Sequence, residues 1–142
     1  MRRTIRVVML LLVLGGVVGW TPARAASSAG LATSSQQAAG GGGVTVTATL
    51  LKDPVGATVV MVGLDTHSVN LDGYTFEEIV LLRDDSGKAY PLEAVETVSG
   101  GGHHREAVLR FAKVAAETTM IELSVKDVAG INERTFRWNT TE

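Results

Sequence analysis

From Val44 to Trp138 the apolar positions recur at every second residue, which is the spacing of strands with one buried face and not of helices. Val44, Val46, Ala48 and Leu50 alternate with Thr45, Thr47 and Thr49, and Asp53-Pro54 with Gly56 ends that run. A second strand is predicted from about Ala57 to Leu64, apolar enough to be central and covered on both faces. A third is predicted from Tyr74 to Arg83. Asp84-Asp85-Ser86-Gly87 turns the chain into a returning strand from Lys88 to Thr97, in which Pro91 marks an irregular or edge position. Arg105 to Ala112 follows with Ala107, Leu109 and Phe111 inward, then Thr119 to Lys126 with Ile121, Leu123 and Val125 inward. Asp127 to Asn132 turns through Gly130 into Glu133 to Trp138, where Phe136 and Trp138 face in. No stretch keeps a helical period for three turns; Glu77 to Val80 and Ala112 to Glu117 suit one helical turn each.

Seven short strands separated by turn residues predict an all-β domain, an immunoglobulin-like β-sandwich of about seven antiparallel strands over residues 44–139, with 140–142 as a tail. The alternative architecture is a small closed β-barrel. Ahead of it, residues 26–43 read ASSAGLATSSQQAAGGGG; with Leu31 as their one large apolar residue they are expected to be a disordered Gly/Ser/Ala-rich linker. Met61 and Met120 fall within strand patterns and are expected in the core.

Residues 1–25 have the organisation of a signal peptide. Arg2, Arg3 and Arg6 precede an uncharged run from Val7 to Trp20, too short to span a bilayer comfortably, and Ala23-Arg24-Ala25 offers a small-residue cleavage site. Arg2-Arg3 lacks the full twin-arginine context, so general secretion is expected, with an extracytoplasmic product, periplasmic or secreted, that has no membrane span after cleavage. Removing residues 1–25 leaves 117 residues, nine basic against 15 acidic, a formal charge of −6. That balance argues against nucleic acid and against an anionic membrane surface, both of which need clustered cations. With no cysteine, the chain has neither disulfide staples nor thiolate chemistry, and its core must hold the fold alone.

The chemistry-bearing residues are three histidines in polar turns. His67 lies in Leu64-Asp65-Thr66-His67-Ser68, and His103 and His104 follow a Gly100-Gly101-Gly102 run. Imidazole suits copper and zinc, so His67, His103 and His104, with Asp65 as ligand or as a partner behind the ligands, form a candidate metal site; Asp72 is a further carboxylate nearby in sequence. An up-and-down strand count puts both histidine-bearing turns at one end of a sandwich, although a Greek-key crossover could change that count. The competing reading makes the histidines ordinary loop residues held by local hydrogen bonds. Catalysis has weaker support. Ser68, His67 and Asp65 are sequence neighbours rather than a triad gathered by a fold, and no G-x-S-x-G is present. Glu77-Glu78 and Asp84-Asp85 suit a solvated face and a turn, and the triple glycine lacks the Lys of a phosphate loop. Asp127 with Gly130 and Asn132 lacks the spacing of an EF-hand.

Taken together, Leu64-Asp65-Thr66-His67-Ser68, Leu82-Arg83-Asp84-Asp85 with Gly87 and Tyr90-Pro91-Leu92, Gly101-Gly102-His103-His104-Arg105, Lys126-Asp127-Val128-Ala129-Gly130, and Glu133-Arg134 with Phe136 and Trp138 resemble a family of small exported bacterial proteins of unknown function. The resemblance covers roughly residues 44–138 and implies an immunoglobulin-like sandwich; some exported copper-handling proteins are similar sandwiches, a likeness of fold that does not carry function. The expectation is an exported, non-enzymatic β-sandwich that binds copper or zinc through its loop histidines. The alternative is an envelope protein-interaction or structural module that binds no metal and presents an exposed apolar strip to a protein partner.

Overall fold

The computed structural model describes residues 35–140. The expected signal peptide, residues 26–34 of the expected linker and residues 141–142 lie outside the described residues. Strands β1 (Gln36–Gly41), β2 (Val44–Leu51), β3 (Thr58–Thr66), β7 (His104–Phe111) and β6 (Leu92–Gly101) form one antiparallel sheet in the order β1-β2-β3-β7-β6. Strands β5 (Ala89–Tyr90), β4 (Val80–Asp84), β8 (Met120–Val128) and β9 (Ile131–Asn139) form the second, in the order β5-β4-β8-β9, and one helical turn, α1 (Phe76–Ile79), precedes β4. The chain crosses between sheets after β3, β5 and β7, the order and crossings of an immunoglobulin sandwich, with β1 added at one edge. Among the described residues neither sheet closes into a barrel.

Val44, Val46, Ala48, Val60, Val62, Leu64, Ala107, Leu109 and Phe111 from the first sheet meet Leu82, Ile121, Leu123, Val125, Phe136 and Trp138 from the second, all buried in one core. Each such large side chain contributes about 1.5–3 kcal/mol on burial, and in a chain without cysteine this is the main source of stability. The inward positions expected on β7, β8 and β9 are the buried ones. Met61 and Met120 instead stand on the outward parity of β3 and β8 and are half-buried, so neither is a core residue.

Three expectations are corrected. The predicted strand from Tyr74 begins as a helical turn, because Phe76 and Ile79 lie three apart and are both buried while Glu77 and Glu78 face solvent. The predicted returning strand is two strands in different sheets. Pro91 has no N–H to donate, so β5 stops after pairing with Leu82 and Arg83, and the chain crosses to become β6 at the far edge. Finally, residues 36–41, expected within the linker, form β1, which pairs residue for residue with β2 from Gln36 opposite Thr49 to Gly41 opposite Val44. An edge ladder is held by main-chain hydrogen bonds, which composition does not report. The sandwich therefore starts at Gln36, not Val44. Gln37 donates to and accepts from the main chain of Arg137, and Trp138 Nε1 donates to Ser35 O at 2.6 Å, fastening β1 to the edge of the opposite sheet.

The β1–β2 turn requires glycine. Gly42 and Gly43 have φ of 61° and 78°, as a two-residue hairpin turn demands, and a Cβ on Gly42 would stand 2.0 Å from Ala129 O. Gly42→Ala is expected to destabilise the domain by about 1–3 kcal/mol in urea unfolding; no change would return this segment to the status of a tether.

The β4–β5 turn is built on Asp84, which accepts from Ser86 N and Oγ (2.9 and 2.6 Å), Lys88 N (3.0 Å) and Tyr90 OH (2.8 Å). The Ser86 hydroxyl, with Tyr90 and the two main-chain donors, holds the Asp84 carboxyl down to about 2, against the opposing effect of burial. A depressed folded value means that the native state binds fewer protons, so this stabilisation is present above about pH 3.8 and is lost as pH falls through about 2. Acid titration followed by circular dichroism should show less destabilisation over that window in Asp84→Asn than in the wild type, from a lower starting stability.

Candidate functional site

Both histidine-bearing turns lie at one end of the sandwich despite the Greek-key crossings. Asp65, the penultimate residue of β3, is the register partner of His104, the first of β7. One residue on, Thr66 N donates to His103 O at 2.9 Å, so the main chain beside His67 abuts that of the Gly102-His103 turn. Cross-strand partners sit roughly 4.5–5.5 Å apart at Cα, which places all three histidines within neighbouring turns.

Thr66 ends β3. Its side chain points inward, donates from Oγ1 to Gly43 O (2.6 Å) and accepts from Ser68 N (3.1 Å) and Val69 N (3.2 Å), a turn that leaves His67 in solvent. Beyond it, Asn70 Oδ1 accepts from Asp72 N at 2.9 Å, and buried Leu71 pins the loop to the core. Asp72 Oδ1 accepts from Gly102 N at 2.8 Å and Leu71 N donates to Gly102 O at 2.8 Å, so the loop is clamped onto the β6–β7 turn. That turn needs Gly100, with φ of 78° and its missing Cβ only 2.2 Å from His104 O. Arg105 completes the clamp: its guanidinium donates to Leu71 O and Tyr74 O and lies 5.3 Å over the Phe76 ring.

Of the candidate residues, the structure brings His104 and Asp65 into direct contact, Nδ1 to Oδ1, with the two side chains 57% and 49% exposed. His67 and His103 are exposed at the same end. Among the described residues no three His, Asp, Glu or Cys side chains are gathered into a ready-made metal cage. Asp72 is occupied in clamping Gly102. Asp65 therefore acts on His104 and not on His67, which also separates Asp65 from the sequence-adjacent His67-Ser68 pair. With Asp65 as hydrogen-bond acceptor, Nδ1 keeps its proton, and in the neutral imidazole this leaves the free lone pair on Nε2, the tautomer that a carboxylate behind a metal-binding imidazole selects.

Two residues important to this end went unread in the sequence, Arg105 and Arg134. The signal was strand parity: Arg105 shares the inward phase of Ala107, Leu109 and Phe111, and Arg134 that of Phe136 and Trp138. Arg134 is buried and donates to Val128 O (3.0 Å) and Gly41 O (2.6 Å), tying the β8–β9 turn to the β1–β2 turn.

The hydrogen bond to Asp65 raises the His104 imidazole above 6.5, the Asp65 charge adds to that, and Glu106 contributes further. The charged pair contributes stability below pH 6.5 and loses it as pH rises through the folded value. A proton NMR titration should find His104 titrating above the free-histidine value and returning toward it in Asp65→Asn; an unchanged value in that variant would dissociate the pair in solution.

The chain matches no protein-family model, no curated protein and no solved structure, so this end of the sandwich is read from its own geometry.

Proposed function

We propose that this is an exported, non-enzymatic β-sandwich that captures a transition metal ion, copper or zinc, at its histidine-bearing end. The observation that supports the reading is the Asp65–His104 pair, an exposed imidazole oriented from behind by a carboxylate with Nε2 left as a ligand. In this reading His104 is the anchoring ligand and Asp65 its positioning partner. His67 and His103, exposed on the adjoining turns, supply the remaining nitrogens when their rings rotate onto the ion. A site completed by ring rotation binds less tightly than a closed cage, because the ion must offset the entropy of ordering the side chains. Open coordination positions suit acquisition and hand-over rather than structural retention.

Calorimetric titration of untagged residues 26–142 with copper(II) and zinc(II) tests this. Saturable one-to-one binding is expected, abolished in His104→Ala, reduced in His67→Ala and weakened roughly 10–100-fold in Asp65→Asn. Binding indifferent to His104 would end the metal reading and leave the histidines as loop structure.

A further inference from the structure

We propose a second binding surface, independent of the histidines: the open side of the sandwich, along edge strand β6 and the groove at its start, takes up an extended segment of another polypeptide that bears apolar residues and a lysine or arginine. β6 is the last strand of its sheet, ten residues long and exposed over most of its length. Where the chain crosses from β5 to β6 a surface groove of about 500 Å³ is lined by Val80, Leu81, Pro91, Leu92 and Phe111, with exposed Glu77 beside them. The β4–β5 ladder covers only Leu82 and Arg83, so Val80 and Leu81 extend past it into this groove.

From the groove an apolar strip continues along β6. Leu92 and Val95 are half-buried against the core, and Val98, opposite inward-facing Ala107, is 52% exposed. A valine on the inward side of a strand, yet in solvent, marks a place where the sandwich lacks a covering element. The edge offers main-chain pairing. Thr97 to Ser99 pair one for one with β7 and offer a short regular edge to another strand, while Gly100 (φ 78°) begins the turn and register shifts between Leu92 and Ala94 and between Val95 and Thr97 distort the rest. Those shifts reject indiscriminate edge-to-edge pairing, so side chains seated in the groove must supply the selectivity.

Charge decides the kind of partner. Glu77 rims the groove and Glu93 follows Leu92 into solvent. Lys88 is folded over the Tyr90 ring at 5.1 Å. Such a rim attracts a basic side chain next to apolar ones. It disfavours a second copy of this chain, which would bring its own Glu77 and Glu93 to the contact.

The test is selection of a randomised dodecapeptide phage library on residues 26–142, followed by binding and amide-shift mapping with a selected, labelled peptide. Expected are peptides that alternate apolar and polar residues and carry lysine or arginine, with shifts confined to β6 and the groove residues. Glu77→Lys/Glu93→Lys and, separately, Val98→Asp should each weaken binding roughly ten-fold, the former also turning reselection toward acidic peptides, while His104→Ala leaves binding intact. All three substitutions are at exposed positions, and unchanged circular dichroism checks their folding. No enriched consensus, an acidic consensus on the wild type, shifts mapping to the outer sheet faces, or a dimer abolished by Val98→Asp would each overturn the proposal.

Discussion

The ladder of β3 sets the rest of the sandwich. β3 pairs over most of its length with β2 on one side and β7 on the other, and apart from half-buried Met61 and Asp65 it is covered on both faces. Because side chains alternate with a period of two, its register settles at once which residues of β2 and β7 face the core. Val46 and Ala48 face in because they share the phase of Leu64 and Val62, and Ala107 and Leu109 because they oppose Val62 and Val60. The same phase turns Asp65 and His104 outward together. The Asp65–His104 ion pair is thus a consequence of the register that buries the core, and a one-residue slip would bury Asp65 and expose Leu64.

Two inward-facing arginines hold the loops at that end. Arg105 and Arg134 donate to loop carbonyls, at Leu71 and Tyr74 in one case and at Val128 and Gly41 in the other. Burying a guanidinium costs several kcal/mol before its hydrogen bonds offset it, and burial pushes the Arg134 guanidinium down from its usual range. Arg134 Nε is buried without a partner. The strain is shared by the β8–β9 turn, where Asp127 and Ala129 both take φ of 54°, held there as Ala129 N donates to Tyr74 OH at 2.8 Å. Four turns are thereby locked into one platform that carries the imidazoles, His104 against Asp65 and His67 and His103 in solvent. On the proposed reading, a fixed base that presents solvated imidazoles suits reversible ion capture.

The histidine end and the open side use different parts of the fold. One is a cluster of turns where polar side chains are set by main-chain clamps, the other a gap left where Pro91 sends the chain from one sheet to the other. On the two proposals, one domain couples an ion to a partner, since β6 ends at Gly101, beside the turn that carries His103 and His104.

Much of this was legible in the sequence because alternation is a local property. The threonine–valine run of β2, the inward sets of β7, β8 and β9 and the Asp84 turn each need only a few neighbouring residues to be recognised, and together they fix an all-β sandwich. Ladder pairing at an edge is not local. Gln36 to Gly41 carry no apolar signal, yet they form a strand because β2 offers main-chain partners and Arg137 and Trp138 of the opposite sheet bond Gln37 and Ser35. Pro91 announced an irregularity, but only the packing of two sheets decides that the chain changes layer there. Likewise the sequence placed three histidines and two nearby aspartates in polar turns. Which aspartate meets which histidine depends on β3 pairing with β7, residues 39 positions apart. The sequence by itself determined β2, β3, β7, β8 and β9, the inward sets of β7 to β9 and the residue types available for chemistry, because those follow from local periodicity and side-chain chemistry. Only the tertiary structure decided that Asp65 serves His104, that Asp72 clamps Gly102 and that Arg105 and Arg134 turn inward to hold the loops, because such partnerships exist only once long-range ladders have brought distant segments together.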